Sequence, residues 1–413
     1  MITTPNSLRL QLALTGRSNC GKSTLLNLIS GQDTAITSPQ KGTTTDVVSK
    51  AMELRPLGAV LLLDTAGIDD DTALGDLRAA KSFQTLDRAD VLIIVTTPGV
   101  WGEPEMQLVA EAGKRKVPVL TVINKCDTAL VTPEFAAAVA GSTGSEVLQT
   151  VAADREKREE FLNAFTAALL KLLPESLLPQ PPLLRDLAAP GSLVVLMTPI
   201  DLQAPRGRLI LPQIQAIRDA LDGDCCCIIA KEDAFPAIYG RLKEAPALVV
   251  CDSQVVDLMI ARTPENIPCT TFSILMARLK GDLEQFIQGV RAIETLQDGD
   301  RILIAESCTH HAADDDIGRV KIPALLRKKS GKELHFEVFS GSDFPAGLSD
   351  YKLVLHCGGC MLNRRAMLNR LQQIAAAGVP VVNYGMCISC CKGVLPRVLS
   401  PFQETRAKLL EKM

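Results

Sequence analysis

Residues 16–23 read Gly-Arg-Ser-Asn-Cys-Gly-Lys-Ser, after an apolar run from Leu10 to Leu14 and before a helical pattern from Thr24 to Ile29. A strand, a glycine-bearing loop and a helix in that order make a phosphate cradle. The glycines let the backbone wrap an anion, and the first amides of the helix face it. In this pattern Lys22 bridges the β- and γ-phosphates of a nucleoside triphosphate and Ser23 ligates Mg2+. Gly16, Asn19, Gly21, Lys22, Ser23 and Thr24 are the expected contacts of the phosphate loop. The motif constrains the fold as well, because such loops sit at the carboxyl ends of strands in a parallel α/β sheet.

Two further strand-end motifs follow in order. Asp64-Thr-Ala-Gly67 stands after the run Ala59 to Leu63. An aspartate there holds Mg2+ through water, and the Gly67 amide meets the γ-phosphate. Asn124-Lys125-Cys126-Asp127 follows the run Val117 to Ile123. The Asp127 carboxylate accepts from the N1 and N2 groups of guanine, a donor pair that adenine lacks, so the motif selects GTP. Each tetrapeptide alone could be a turn; their order behind a phosphate loop makes them specific. Between the phosphate loop and Asp64 lies Gly42-Thr-Thr44-Thr-Asp46, where Thr44 is expected to complete the Mg2+ shell when a loop closes over the γ-phosphate. A polar loop with no ligand role is the alternative there. Lys22, Thr44, Asp64 and Gly67 form the expected catalytic group, and a last guanine-binding loop is expected near Val151-Ala152-Ala153.

A chain of 413 residues exceeds one core, and 47% apolar against 22% charged residues supplies a core for each part. The formal net charge is −3, and no long basic run marks a nucleic-acid binder. No secretion signal and no apolar run of membrane-spanning length is visible, which leads to the expectation of a cytoplasmic protein without membrane contact. In a reducing compartment the thirteen cysteines are not disulfides. Cys225, Cys226, Cys227 and Cys251, in apolar strand-like runs, read as small buried hydrophobes.

The expected fold class is α/β with three αβ domains. The first covers 1–173. The five prolines between Leu172 and Gly191 mark 174–191 as a linker. A small αβ domain at 192–265 has strands at Leu193 to Pro199, Cys225 to Ala230 and Ala247 to Cys251. Three strands make a thin sheet, of the kind that completes its core by pairing with a copy. A doubly wound parallel αβ domain covers 266–413. It is expected to open with one long helix from Ile274 to Thr295, before strands at Arg301 to Ala305, His335 to Phe339, Lys352 to Leu355 and Val379 to Asn383.

The remaining signal is Cys308-Thr-His310, with His356-Cys357-Gly-Gly-Cys360 much later; all four histidines lie between 310 and 356. Gly358 and Gly359 free the backbone to turn both sulfurs toward one metal. Cys308 and Cys357 each follow an expected strand, so both belong at the carboxyl edge of the last sheet, where open αβ sheets gather ligands. Three cysteines suggest an iron–sulfur cluster with an incomplete thiolate set. Zinc on Cys2His2 or Cys3His is the competing metal, and a metal-free cysteine cluster the plain alternative. Cys387, Cys390 and Cys391 follow another strand and read mainly as small residues packing a helix start.

The nucleotide motifs resemble the Era/TrmE branch of small GTPases, whose second loop reads G-T-T-x-D. Ile68 stands where Ras-like proteins carry the water-orienting glutamine. Asn19 stands where potassium-activated members carry a K+ ligand, which implies K+ in the charge role of an arginine finger. With the C-x-H…H-C-x-x-C pattern, Thr198-Pro-Ile-Asp201, Ala204 to Pro212 and His311 to Pro323, the whole chain resembles the [FeFe]-hydrogenase maturation GTPases, the HydF family. That resemblance implies a homodimer formed through the middle domain and a [4Fe–4S] cluster on Cys308, Cys357 and Cys360, with His310 and His356 as possible additional ligands. It implies a scaffold that receives a transient di-iron precursor from radical-SAM maturation enzymes and delivers it to apo-[FeFe]-hydrogenase. Two other classes compete. Era/TrmE relatives act on RNA, but that reading wants a basic module after the GTPase, and here the following segment is apolar and poor in aromatics. A zinc-stabilised regulatory GTPase without cargo is separated from a scaffold by metal analysis of anaerobically purified protein.

Overall fold

A computed structural model describes residues 4–31, 48–65, 85–173, 182–199, 209–307, 316–341, 344–345 and 347–411. The expected site residues Thr44, Gly67, Cys308 and His310 lie outside the described residues, as does Ile68. The chain divides into two compact units, Met1–Gln180 and Pro181–Met413.

In the first unit the order is β1 (Leu10–Thr15), α1 (Lys22–Ser30), β2 (Val48–Leu54), β3 (Gly58–Asp64), β4 (Val91–Thr96), α2 (Glu103–Lys114), β5 (Val119–Ile123), α3 (Pro133–Thr143), β6 (Val147–Gln149) and α4 (Arg158–Leu172). The sheet runs β2-β3-β1-β4-β5-β6. Its strands are parallel except β2, which pairs antiparallel with β3. Alternate residues of the central strands serve opposite faces. Leu12, Leu14, Ile93 and Val95 pack with Leu25, Ile29, Phe165 and Leu169 of α1 and α4. Ala13, Leu92 and Ile94 pack with Leu108 and Ala112 of α2. Burial on both faces is why these strands read as unbroken apolar runs. The edge strand β2, with Ser49, Ala51 and Glu53 exposed, carries no such run and was not anticipated.

The second unit holds two parallel sheets on one continuous apolar core. The first contains β7 (Leu193–Met197), β8 (Cys226–Ala230), β9 (Leu248–Cys251) and β10 (Cys269–Thr271), ordered β10-β9-β7-β8. The second contains β11 (Arg301–Glu306), β12 (His335–Ser340), β13 (Leu353–His356) and β14 (Val381–Asn383), ordered β12-β11-β13-β14. Strand β10 corrects the expected division at 265/266. It pairs with β9, Cys269 opposite Val249, and makes the middle sheet four-stranded. At three residues it is too short to show a period. Cys226 is also a correction: it is exposed, because β8 forms the sheet edge.

The expected long helix from Ile274 to Thr295 is two helices, α5 (Phe272–Lys280) and α6 (Leu283–Ile293). Gly281 breaks the run at φ −114° and ψ −146°, and the Asp282 carboxylate accepts from the amides of Glu284 and Gln285 to start the second helix. A side chain at 281 would meet the Phe286 ring at 2.8 Å. No helix among the described residues is long and apolar enough to cross a membrane.

Candidate functional sites at two sheet edges

In the first unit, the loop after β1, the end of β3 and the loop after β5 share one sheet edge, because these strands run parallel through β4. The phosphate loop depends on its glycines. Gly21 has φ +93°, and a β-carbon there would lie 2.2 Å from Asn124 Nδ2; at Gly16 it would lie 2.1 Å from the Val95 carbonyl. Asn19 takes the left-handed conformation at φ +61°, which asparagine tolerates. Lys22 Nζ lies across the loop, donating to the carbonyls of Gly16 at 2.9 Å and Arg17 at 2.8 Å. Arg17 is in turn held by Glu105 of α2 through two bonds of 2.7 and 2.9 Å, and Glu105 is buried.

Ser23 Oγ donates to Asp64 Oδ2 at 3.2 Å. Burial raises the Asp64 carboxyl above its ordinary value, opposed by the charge of Lys22 and by the Ser23 hydroxyl. Its second oxygen, Oδ1, is buried and accepts no hydrogen bond among the described residues. A buried carboxylate oxygen left without a donor, beside a serine hydroxyl and a lysine, suits a hydrated Mg2+.

Asn124 is 2% exposed and joins two loops. Its Nδ2 donates to the Cys20 carbonyl at 3.0 Å, and its Oδ1 accepts from the Ala152 amide at 2.9 Å. The loop expected to complete the guanine pocket, Val151 to Ala153, is thereby bound to the phosphate loop. Lys125 Nζ donates to the Asn19 carbonyl at 2.6 Å, while Asp127 is exposed at the rim. Motif reading lists these residues as ligand contacts; the folded chain shows that Asn124 also clamps loop to loop.

In the second unit, Cys357 and the end of β11 meet at the carboxyl edge of the last sheet. The Cys357 amide donates to the Ala305 carbonyl at 3.0 Å. Its sulfur accepts from the Ser307 amide at 3.2 Å and has the Ser307 hydroxyl at 3.2 Å. Burial opposes the thiolate, while the Ser307 hydroxyl and the Gly359 amide favour it and the thiol is held below its ordinary value. The Cys360 thiol moves the other way, raised by burial and by its neighbour Cys357. Gly359 sits at φ +57°, the left-handed region that favours glycine, and a β-carbon there would meet only the movable end of Met367, at 2.2 Å from Cε.

His356, expected as a possible additional ligand, turns away from that role. It is fully buried, and Arg370 Nε donates to its Nε2 at 3.0 Å. The proton therefore resides on Nδ1, 2.7 Å from the Cys357 carbonyl. Both ring nitrogens are engaged in holding the strand end, so neither faces a metal. Among the described residues no group of three or more His, Cys, Asp or Glu is placed to hold a metal ion; of the expected thiolates, Cys357 and Cys360 lie within the described residues and Cys308 outside them. Cys387 and Cys390 are buried in the helix α7 (Tyr384–Cys391), in keeping with packing.

One residue at this site carried no signal in the sequence. Lys280, the last residue of α5, is 2% exposed. Its ammonium donates to the carbonyls of Gly359 at 3.1 Å, Cys360 at 3.0 Å and Leu362 at 2.7 Å. Burial lowers its pKa to about 8, against the pull of Cys360 and Cys357. In the run Arg-Leu-Lys-Gly-Asp it looks like an ordinary solvated helix end.

Residues 11–125 match the family model described as a 50S ribosome-binding GTPase. Residues 183–281 match the hydrogen maturase F dimerization domain, and residues 284–401 the hydrogen maturase F tetramerization domain. The tRNA modification GTPase MnmE of Synechococcus sp. (strain JA-3-3Ab) is 43% identical over 124 residues, 29% of this chain and 26% of that protein. GTPase Der of Deinococcus deserti is 36% identical over 125 residues, 30% of this chain and 28% of that protein. The chain thus spans about a quarter of the length of these curated relatives. A crystal structure of Aquifex aeolicus Era bound to GDP·AlF4− aligns with TM-score 0.36 and 20% identity, over 61% of this chain and 97% of that one. The similarity to MnmE and Der is confined to a stretch the length of one GTPase domain. Behind the GTPase match, the two hydrogen maturase F domains follow in order and take up more than half of the chain, which therefore belongs to the hydrogen maturase F family of P-loop GTPases.

Proposed function

We propose that the chain is a GTP-hydrolysing scaffold that holds a [4Fe–4S] cluster on Cys308, Cys357 and Cys360. It takes up a di-iron precursor from radical-SAM maturation enzymes and delivers it to apo-[FeFe]-hydrogenase, as a homodimer formed through the middle domain. One observation carries the cluster reading. Ser307, the residue before Cys308, bonds to the Cys357 sulfur through its amide at 3.2 Å. The end of β11, one residue before Cys308 in the chain, thus meets Cys357 at the end of β13, with Cys360 across a two-glycine turn. Cys308, Cys357 and Cys360 would supply three soft thiolates, a set that suits a cluster with one exchangeable iron, and amide donation to sulfur is a recognised means of tuning it.

In the nucleotide site, phosphates entering the loop exchange the carbonyl bonds of Lys22 for charge-assisted ones. Mg2+, when bound, would neutralise charge on the phosphates. Ser23, Thr44 and, through water, Asp64 would hold it. Asp127 accepts from guanine, and Asn124 keeps the guanine loop against the phosphate loop. Ile68 cannot orient water as a glutamine would, and Asn19 would hold a K+ that takes the charge role of an arginine finger.

The test is iron and sulfide content, with EPR on the reduced protein, after anaerobic purification. Cys357→Ser and Cys360→Ser lose iron while basal GTP hydrolysis stays near wild type. Lys22→Ala abolishes hydrolysis and keeps the iron. A full complement of iron and sulfide in the double serine variant overturns the ligand assignment, and zinc in place of iron in the wild type overturns the scaffold reading.

A further inference from the structure

Lys280 is an anomaly for a core residue. Burying an ammonium is costly unless it is paired, and a lysine in that position normally faces a carboxylate. Among the described residues no carboxylate pairs with it; its three donors are spent on three carbonyls. Those carbonyls belong to Gly359, Cys360 and Leu362, so one cation gathers the turn that presents Cys360. Other cations near this edge are engaged. Arg319 is bound to Glu306, and Arg370 to His356 and the Gly341 carbonyl.

We propose that Lys280 is a positioning residue for the Cys357–Cys360 chelate and the resident counter-charge for the negatively charged thiolate–metal group it binds. The proposal rests on the cluster reading. Carbonyl bonds alone explain a donor at this place; they do not explain a full positive charge without a carboxylate. A thiolate-ligated cluster carries net negative charge, which grows by one on reduction, and a fixed ammonium beside it favours the reduced form.

The experiment compares the full chain as wild type, Lys280→Met and Lys280→Gln. Metal-free protein is read by hydrogen exchange at the amides of 357–362. Reconstituted protein is read by iron loss to a chelator and by the midpoint potential in an EPR-monitored dithionite titration. Lys280→Met is expected to exchange faster at these amides and to lose iron about tenfold to hundredfold faster, the usual cost of removing a group that orients metal ligands. Lys280→Gln keeps donors without charge. It is expected to hold the turn better than Lys280→Met, yet to show the same downward shift in potential. Basal GTP hydrolysis is unchanged in both. Wild-type exchange and iron loss in Lys280→Met overturn the positioning role. A wild-type potential in Lys280→Gln overturns the counter-charge role, and that variant decides the question if Lys280→Met does not fold. A wild type that takes up no cluster sinks the cluster reading itself, and the exchange measurement on metal-free protein still tests the positioning of the turn.

Discussion

Replacing Asn124 by alanine isolates what the clamp between the phosphate loop and the guanine loop is worth. The side chain is 2% exposed and makes two hydrogen bonds, to the Cys20 carbonyl at 3.0 Å and from the Ala152 amide at 2.9 Å. Cys20 and Ala152 are each 4% exposed, so water does not readily replace the lost partner. Each orphaned backbone group costs about 1–3 kcal/mol, so losing two partners should destabilise the first unit by roughly 2–6 kcal/mol. That corresponds to about a 30- to 20,000-fold change in the unfolding equilibrium. Trp101 is the only tryptophan of the chain and packs against the core beneath α2, so its fluorescence reports this unit alone. Urea unfolding followed at Trp101 gives the stability, and titration with a fluorescent GDP analogue gives the affinity, which should fall as well because both loops must be in place to bind. A midpoint change equivalent to less than about 0.5 kcal/mol, the range of neutral surface substitutions, with unchanged GDP affinity, would refute the clamp.

Three other outcomes are expected. Asp127→Asn should weaken GTP binding by roughly 2–4 kcal/mol and favour xanthosine triphosphate, whose O2 acceptor suits an amide donor; wild-type GTP affinity in competition binding would exclude the assignment. GTP hydrolysis should be faster in KCl than in NaCl at equal ionic strength, and Asn19→Ala should remove the difference; equal rates for the wild type in the two salts would end the potassium proposal. In metal-free protein the Cys357 thiol is depressed below the ordinary 9.0, so its stabilising contribution is full above 9.0 and is lost as pH falls through the depressed value. Thiolate absorbance, taken as wild type minus Cys357→Ser, should therefore rise with a midpoint below 9.0, and a midpoint at or above 9.0 would contradict the hydrogen-bonded sulfur seen beside Ser307.

Local chemistry settled much of this protein before any folding. Glycines at 16 and 21, Lys22, Asp64 and the Asn124–Asp127 turn act through backbone conformation and charge at short range, so their spacing along the chain is already a statement about a phosphate and a base. The buried parallel strands were legible for a similar reason, since burial on both faces leaves an unbroken apolar run such as Leu61 to Leu63 or Val91 to Val95. Strands β2 and β10 were not legible, one because half its residues face solvent and the other because three residues have no period. The break in the expected long helix was present as Gly281-Asp282, but glycine within a helical pattern is tolerated as often as it interrupts.

What only the tertiary structure decided concerns groups whose role depends on partners far away in the chain. His356 stands in a motif that invites a ligand reading, yet Arg370 and the Cys357 carbonyl take both its nitrogens. Lys280 looks like a solvated helix end, yet it lies buried beneath a turn eighty residues further on. A sequence displays the chemistry a side chain carries, and local spacing displays what it does with its immediate neighbours. Whether a charge ends in water or under a cysteine turn is set by the packing of the whole unit, because desolvation and hydrogen-bond pairing are properties of a site in space.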